Sequence, residues 1–475
     1  MEFSVNHPIL FILAGILIAA VLGQSVYFLV KALKRSREIG MDARKIRKTI
    51  QTAAIFTIAP AVSIVISVIA LSKSLGIPLP WLRLSVVGSL SYEAIAAGNA
   101  LSAMGLELGK VSELTAQQYV NITLVMTISI LVGIWLVPLI GKKLLGGMSK
   151  LEAKDKKWSE IFQNAMFIGM IAAFLGFVFC DFSMLWNPAE GIAPTAGLIP
   201  VCVMGVSAAV MVVLGLAMKK WKWLGDYALP ISLVLGMASA IPITAWLGLG
   251  GAFLMKKNLS YIDSVHRDGT IWNLGVMLLL IAFPLTVAVM FSAAPDWGAL
   301  VVGLIATAPM YWAVGVIETI TFVPMLGAGG SYLSFVTGNI SNLKLPCAIN
   351  ALEQNEVSAS SEEGEIISTI AIATSSIVTT IIIIIGVICI VPLTPILEAP
   401  VLEPAFEQML PALFGGLGVA FVSKNWKIAI APVLLMLVLF IFIPALNEGT
   451  VGIMVPVSVL FTIAVSRILY KKGVL

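Results

Sequence analysis

Long apolar runs alternate with short polar segments along the whole chain. The first run covers residues 8–30 and lacks the basic start and the small-residue cleavage site of a signal peptide. A spanning helix needs about 20 apolar residues, so this run predicts one. Ten further runs predict spanning helices at about 50–72, 118–141, 160–182, 195–218, 227–254, 272–293, 366–391, 405–422, 428–446 and 449–468.

The composition excludes a soluble protein. Hydrophobic residues make up 59% of the 475 residues and charged residues 11%, against about 45–50% and about 25% in soluble domains. Mean hydropathy is +1.02. Lipid must therefore be the solvent of most of the surface, which excludes a soluble enzyme, a nucleic-acid-binding protein and a disulfide scaffold. The chain is predicted to be an all-α polytopic membrane protein.

Basic residues predict which ends of the helices face the cytoplasm. The net charge is only +4, but Lys and Arg cluster after three of the runs, at 31–48, 142–157 and 219–222. Such loops stay in the cytoplasm. The N-terminus is therefore predicted outside and the C-terminus inside. The basic loops all lie inside only if two further apolar segments enter the membrane without crossing it. These segments are predicted as re-entrant hairpins at about 82–104 and 297–343.

A weak internal repeat follows from matching residues in the two halves. Pro60 and Pro284 are 224 residues apart (284 − 60), and Glu93 and Glu318 are 225 apart (318 − 93). With five crossings per half, the second half runs upside down relative to the first. The prediction is about 11 transmembrane helices plus two hairpins, as a 5+5 inverted-topology repeat. Its parts are 1–225, 226–447 and an extra C-terminal helix at 448–475. The alternative is that the matching positions of these prolines and glutamates are a coincidence.

Two carboxylates in apolar segments are the main candidate binding groups. Glu93 and Glu318 each cost roughly 2.5–3.5 kcal/mol at membrane depth, so each is expected to face a cation, a proton or a polar partner. The alternative for Glu93 is a structural pairing with Arg83. The acidic stretch that ends at Glu365 is interpreted as solvated and cytoplasmic, and His7 and His266 are placed in loops, which excludes a transmembrane histidine relay.

Glycine clusters with neutral polar residues follow each glutamate. Such clusters break helices and let backbone groups face a cavity, although close helix packing is the alternative. Together with the two glutamates they form the predicted substrate- or ion-binding set: Ser91, Asn99, Thr319, Gly329, Gly330, Ser331, Thr337, Asn339 and Asn342. No catalytic residue, no metal ligand set and no Walker motif is predicted, and Na⁺ as a coupling ion is the one cofactor considered.

Two segments resemble a family of bacterial integral membrane proteins of unknown function: Asn6-His7-Pro8-Ile9-Leu10-Phe11, and Ser91-Tyr92-Glu93-Ala94-Ile95-Ala96-Ala97-Gly98-Asn99. The similarity extends over most of the chain and implies a multi-pass protein of the bacterial inner membrane without assigned chemistry. At the level of the fold, the paired hairpins are similar to inverted-repeat elevator carriers such as the glutamate:sodium and 2-hydroxycarboxylate symporters. Their hairpin motifs are not reproduced in this sequence.

The expected function is ion-coupled secondary transport. The coupling ion is H⁺ or Na⁺, the solute is small, polar and potentially cationic or zwitterionic, and the mechanism is of the elevator type. A homodimer in the lipid bilayer is expected, with spans 8–30, 195–218, 227–254 and 428–446 as scaffold and with no nucleic-acid partner. The alternatives are a permease subunit of a larger transport complex, which needs a soluble ATPase, and an intramembrane enzyme, which is least favoured.

Overall fold

The computed structural model describes residues 3–88, 90–106, 114–179, 198–217, 228–247, 262–357, 361–390, 426–443 and 451–473, with single positions 182, 415, 418, 419, 422, 446 and 475. The described residues form helices without any strand. The helices are α1 (Pro8–Glu38), α2 (Ala43–Leu75), α3 (Pro78–Ser85), α4 (Leu90–Ser102), α5 (Ala116–Lys154), α6 (Lys156–Phe177), α7 (Ile199–Ala217), α8 (Ala228–Leu247), α9 (Ile262–Met290), α10 (Trp297–Thr337), α11 (Leu345–Gln354), α12 (Glu362–Ile388), α13 (Trp426–Phe442) and α14 (Val451–Lys471).

The membrane class of the protein is confirmed. Eight helical segments among the described residues are long and apolar enough to cross a membrane. They are Pro8–Glu38, Ala43–Ile69, Ala116–Gly147, Ile199–Ala217, Ser264–Met290, Trp297–Val316, Glu318–Thr337 and Glu362–Ile388. Most of the predicted span 405–422 lies outside the described residues. The chain is thus an all-helical, multi-pass membrane protein.

The helices divide into two compact units. Unit 1 contains Met1–Leu145 and Leu254–Thr394, and unit 2 contains Gly146–Phe253 and Pro395–Leu475. Each unit therefore draws on both halves of the sequence. In unit 2, α6 packs against α13 and α14. A Cβ added at Gly169 would stand 2.6 Å from the Val459 Cα, so glycine allows this close approach.

Unit 1 contains the same order of elements twice. Two long helices, α1 and α2, are followed by the short helices α3 and α4 and then by the long α5. Likewise α9 and the first part of α10 (297–326) are followed by the second part of α10 (328–337), α11 and the long α12. A glycine with positive φ precedes each short pair, Gly76 (φ 71°) and Gly327 (φ 73°). Glycine tolerates this left-handed backbone, which ends the preceding helix.

Contacts within unit 1 give the relative directions of the helices. Tyr27 in α1 donates a hydrogen bond to Asp268 at 2.5 Å, whereas the rings of His7 and Phe291 lie 5.2 Å apart. The residue number rises along α1 as it falls along α9, so the two helices are antiparallel. The last helix of the first set, α5, is parallel to α10. Gly303 packs on Val125, and Gly141 packs on Val323.

Two sequence predictions need adjustment. The segment 297–343 does not form one hairpin, because 297–326 is a continuous helix of roughly 45 Å, long enough to span, and the backbone leaves the helical conformation only at Gly327. The prolines that suggested the repeat also lie in helices that have different positions in the two sets. Pro60 is in the second helix of its set and Pro284 is in the first. The spacing of 224 therefore does not align equivalent helices.

Candidate functional site

The turns that connect the two short-helix pairs touch each other in unit 1. We call 78–102 the first hairpin and 328–354 the second hairpin. The Val87 amide donates a hydrogen bond to the Val336 carbonyl at 3.0 Å. A Cβ added at Gly338 (φ 63°) would stand 2.6 Å from the Val87 carbonyl carbon. Only glycine therefore fits at this contact between the two tips.

Backbone strain marks both tips. Val87 has φ 71° and Asn339 has φ 50°. The left-handed region is uncommon for any residue other than glycine and is rare for a β-branched one, although Asn adopts it more readily. Conformations of this kind cost of order 1–3 kcal/mol and persist where the surrounding structure holds them, often at functional sites.

A buried ion pair fixes the first hairpin. The Arg83 guanidinium donates Nε to Glu93 Oε2 at 2.8 Å and Nη2 to Oε1 at 2.9 Å, and Nη2 also reaches the Met126 carbonyl at 2.9 Å. The two side chains are 2% and 1% exposed, which leaves their charges compensated inside the protein. The carboxylate also packs against Gly88, where an added Cβ would stand 2.3 Å from Oε1. Of the two interpretations of Glu93, the structure has the pairing with Arg83.

Glu318 has a different environment. It lies half-buried in the first part of α10 and accepts a hydrogen bond from the Tyr92 hydroxyl at 3.3 Å. Tyr311 in turn donates to the Tyr92 carbonyl. Among the residues that the structure describes, no cation lies within ion-pair distance of Glu318. It is therefore a carboxylate in a membrane helix with a neutral partner.

Three of the seven predicted neutral polar residues bond within their own helix. Thr319, Ser331 and Thr337 donate to the carbonyls four residues earlier, and Thr337 also accepts from Ser376 at 3.2 Å. Asn99 donates to Thr307 at 3.2 Å and links α4 to α10. The side chains of Ser91 and Asn342 lie outside the described residues.

The predicted glycines allow α10 and α12 to approach closely. A Cβ at Gly329 would stand 2.5 Å from Thr369 Oγ1, and a Cβ at Gly330 would stand 2.7 Å from Ile372. The packing interpretation of these two glycines is therefore supported, and Gly327 makes the helix break. Asn339 lies in the turn of the second hairpin, 7% exposed, and its Nδ2 has no hydrogen-bond acceptor among the described residues.

The sequence interpretation missed Lys344, which follows in the same turn. This residue is 1% exposed and lies between the candidate spans Glu318–Thr337 and Glu362–Ile388. A signal was present in the sequence, because Glu318 and Lys344 are the only charged residues between 297 and 352.

Glu365 and His266 are corrections to the sequence interpretation. Glu365 was expected in a solvated loop, but it lies in α12, 0% exposed, and accepts a hydrogen bond from the Ala328 amide at 3.2 Å. A carboxylate is favourable at this helix N-terminus. His266 was expected in a loop, but it lies in α9, 7% exposed, with Nδ1 at 2.9 Å from the Tyr332 hydroxyl. The exclusion of a transmembrane histidine therefore does not hold.

Tyr332 anchors one arm of the second hairpin. Its carbonyl accepts a hydrogen bond from Gln24 at 3.3 Å, and its hydroxyl lies 3.2 Å from Thr270 Oγ1. Its ring packs so closely on Gly269 that an added Cβ would stand 2.2 Å away. This arm is therefore held by α1 and α9.

The geometry defines a helical membrane protein with two broken-helix hairpins that meet at a buried polar site. Residues 6–237 match the family described as Domain of unknown function (DUF5058), so the expected resemblance to a family of unknown function is confirmed for this part of the chain. Searches of curated proteins and of solved structures found no match. In the part of the chain that is described, no three His, Cys, Asp or Glu side chains are grouped as metal ligands.

Proposed function

We propose that the protein is an ion-coupled secondary transporter of a small polar solute, with H⁺ or Na⁺ as the coupling ion. The observation that carries the proposal is the contact of the two hairpin tips beside buried polar groups, between Val87 and Val336. Transporters commonly bind solute and ion where discontinuous helices of two repeats meet near the bilayer midplane. The bacterial inner membrane is the proposed location.

The repeated order of elements in unit 1 supports an inverted-topology repeat. Its first helices, α1 and α9, are antiparallel, and α5 is parallel to α10, as expected if one set is turned upside down. The short helices support re-entrant hairpins, because α3, α4 and α11 have 8, 13 and 10 residues and a span needs about 20. Hairpins at 78–102 and 328–354 replace the segments predicted from the sequence.

Glu318 is the proposed ion-coupling residue. An ionisable residue inside a membrane helix is costly and usually serves a binding site or an ion pathway. Glu93 has its charge compensated by Arg83, whereas the described partner of Glu318 is the neutral Tyr92 hydroxyl. Binding and release of a cation or a proton at Glu318 would change its charge in each transport cycle.

An elevator-type mechanism with a homodimer completes the proposal. Unit 1 contains both hairpins and is the proposed transport domain. Unit 2 is the proposed scaffold, since three of the four spans expected in the scaffold lie there, at α7, α8 and α13. The first span, α1, lies in unit 1 instead. The proposed N-terminus is outside and the proposed C-terminus is cytoplasmic, so a cysteine at the exposed Lys45 should be labelled only from the cytoplasmic side.

Gradient-driven uptake in proteoliposomes tests the proposal. We expect accumulation of a solute under an imposed Na⁺ gradient or H⁺ gradient, and we expect Glu318→Gln to abolish it while the protein folds normally. Gln keeps the volume and much of the hydrogen bonding of Glu but cannot carry the charge. Glu363→Gln, at an exposed carboxylate in α12, is the matched control and should transport normally. Wild-type gradient dependence in a stable Glu318→Gln variant would refute the coupling role.

A further inference from the structure

The turn of the second hairpin contains a buried lysine without a counter-ion. Lys344 is 1% exposed, and its neighbours Leu343 and Leu345 are both 0% exposed. The described residues offer its ammonium no ion pair or hydrogen bond. A buried ammonium is strongly disfavoured unless an anion accompanies it.

Asn339 presents a second donor in the same turn. The Asn339 carbonyl accepts hydrogen bonds from the amides of Leu343 at 2.9 Å and Lys344 at 3.2 Å, so the π-helical turn closes on itself and holds Asn339 and Lys344 together. The Asn339 Nδ2 is buried without an acceptor among the described residues. An amide donor and an ammonium, both lacking acceptors, therefore belong to one six-residue turn (339–344).

This turn adjoins the contact between the hairpins. Gly338, which packs on Val87, immediately precedes Asn339. The turn also packs against α2, α11 and α12, and Ser376 of α12 donates to Thr337 just before it. The unmatched donors thus lie where the proposed transport site lies.

We propose that this turn binds a carboxylate group of the transported solute, with the Lys344 ammonium as its ion-pair partner and the Asn339 amide as a second donor. The inference rests on the proposed function and narrows the solute from polar to carboxylate-bearing, either anionic or zwitterionic. A carboxylate accepts hydrogen bonds through two oxygens and carries the one negative charge that balances a single lysine.

Thermal unfolding of the purified full-length protein in lipid nanodiscs tests this site. The probe is a mixture of sodium lactate, succinate, citrate and glutamate with glycine, and the reference mixture contains lactamide, succinamide and sodium chloride at the same Na⁺ concentration. We expect the carboxylate mixture to raise the Tm of the wild type by at least about 2 °C, because a ligand that binds only the folded state stabilises it. The shift should be lost in Lys344→Met and kept in Lys45→Met, which makes the same change at an exposed lysine.

The variants without solute provide a second readout. Lys344→Met removes an uncompensated buried charge, so its Tm should lie above that of the wild type, whereas loss of a structural lysine would lower it. Asn339→Asp places a carboxylate beside Lys344 and should also raise the Tm while preventing the response to the carboxylate mixture. A Tm of Lys344→Met at or below the wild-type value, or no response of the wild type to the mixture, overturns the inference.

The uptake assay separates this inference from the proposed function. Carboxylate binding that depends on Lys344, without uptake under either gradient, would refute transport and leave the site intact. Gradient-driven uptake that Lys344→Met leaves unchanged would refute the carboxylate site and leave transport intact.

Discussion

The two hairpins of unit 1 have the same construction but differ in their buried charges. Each follows a long helix, contains two short helices and presents its turn to the other. The first hairpin contains Arg83 and Glu93, whose charges cancel through two hydrogen bonds of 2.8 and 2.9 Å. In the second hairpin, Lys344 is buried without an acceptor among the described residues, and the other charged residue, Glu353, lies at the C-terminal end of the hairpin. The charges of the first hairpin are paired with each other, and the proposed partner of Lys344 is the carboxylate group of the solute.

This difference distinguishes structure from function. A buried ion pair adds little net stability to the protein, but the loss of one of its two residues is costly because the other charge stays buried without a partner. Both residues of such a pair can therefore be retained for structural reasons. A single buried charge lowers stability in the folded state, and folding alone gives no reason to retain it. The comparison therefore supports a mainly structural role for the first hairpin, and it supports the proposal that the binding chemistry lies at the second hairpin and at Glu318.

The largest effect is expected from breaking the ion pair. Arg83→Met leaves the Glu93 carboxylate buried without its partner, which should cost about 3–5 kcal/mol. We expect poor expression and a Tm well below that of the wild type in nanodiscs. The double variant Arg83→Gln/Glu93→Gln removes both charges and should recover most of the lost stability. A stable Arg83→Met variant would contradict the structural role of the pair.

A medium effect is expected at the contact between the tips. Gly338→Ala would place a Cβ 2.6 Å from the Val87 carbonyl carbon at a positive φ of 63°, so we expect a loss of roughly 1–3 kcal/mol. Thermal unfolding measures this change. Gly98→Ala in α4 is the control, because its Cβ would meet nothing within 4 Å and alanine favours the helix. Equal Tm values for both variants would mean that the tips are not in contact.

The smallest effect is expected from Ser376→Ala. This change removes the 3.2 Å hydrogen bond to Thr337 and the 2.8 Å hydrogen bond to the Ile372 carbonyl of its own helix, and it should cost about 0.5–1.5 kcal/mol. If the second hairpin moves during transport, the uptake rate should change more than this stability loss explains. Ser63→Ala is the control, since the hydrogen-bond partner of its hydroxyl among the described residues is the Ala59 carbonyl of its own helix, at 3.5 Å. Identical effects of both variants on uptake would mean that the contact between Ser376 and Thr337 does not change during transport.

The sequence predicts the class of the fold better than its details. Apolar runs predicted most of the helices because the lipid requirement acts on each segment locally. Gly327, which breaks α10, was not among the predicted site residues, although its glycine cluster was recognised. The repeat was aligned by Pro60 and Pro284. Because the segments of the two sets differ in length, the spacing of these prolines does not match the spacing of equivalent helices. Local sequence carries no information on such differences.

The candidate site was predictable only in part. The pairing of Glu93 with Arg83 was one of two interpretations, and only the fold of α3 against α4 decides between them. Glu365 looks solvated beside its acidic neighbours, and its burial depends on the distant Ala328. Lys344 could have been found from the sequence, since a lone lysine interrupts a long uncharged segment.

Gradient-driven uptake by two variants with neutralised carboxylates tests the central claim most directly. The claim is that Glu318 carries the coupling charge and that the buried pair of the first hairpin carries structure. Proteoliposomes of equal protein content would be compared under Na⁺ and H⁺ gradients for Arg83→Gln/Glu93→Gln and for Glu318→Gln. The account predicts that the double variant accumulates solute and that Glu318→Gln does not. Accumulation by Glu318→Gln together with its loss in a folded double variant would contradict it.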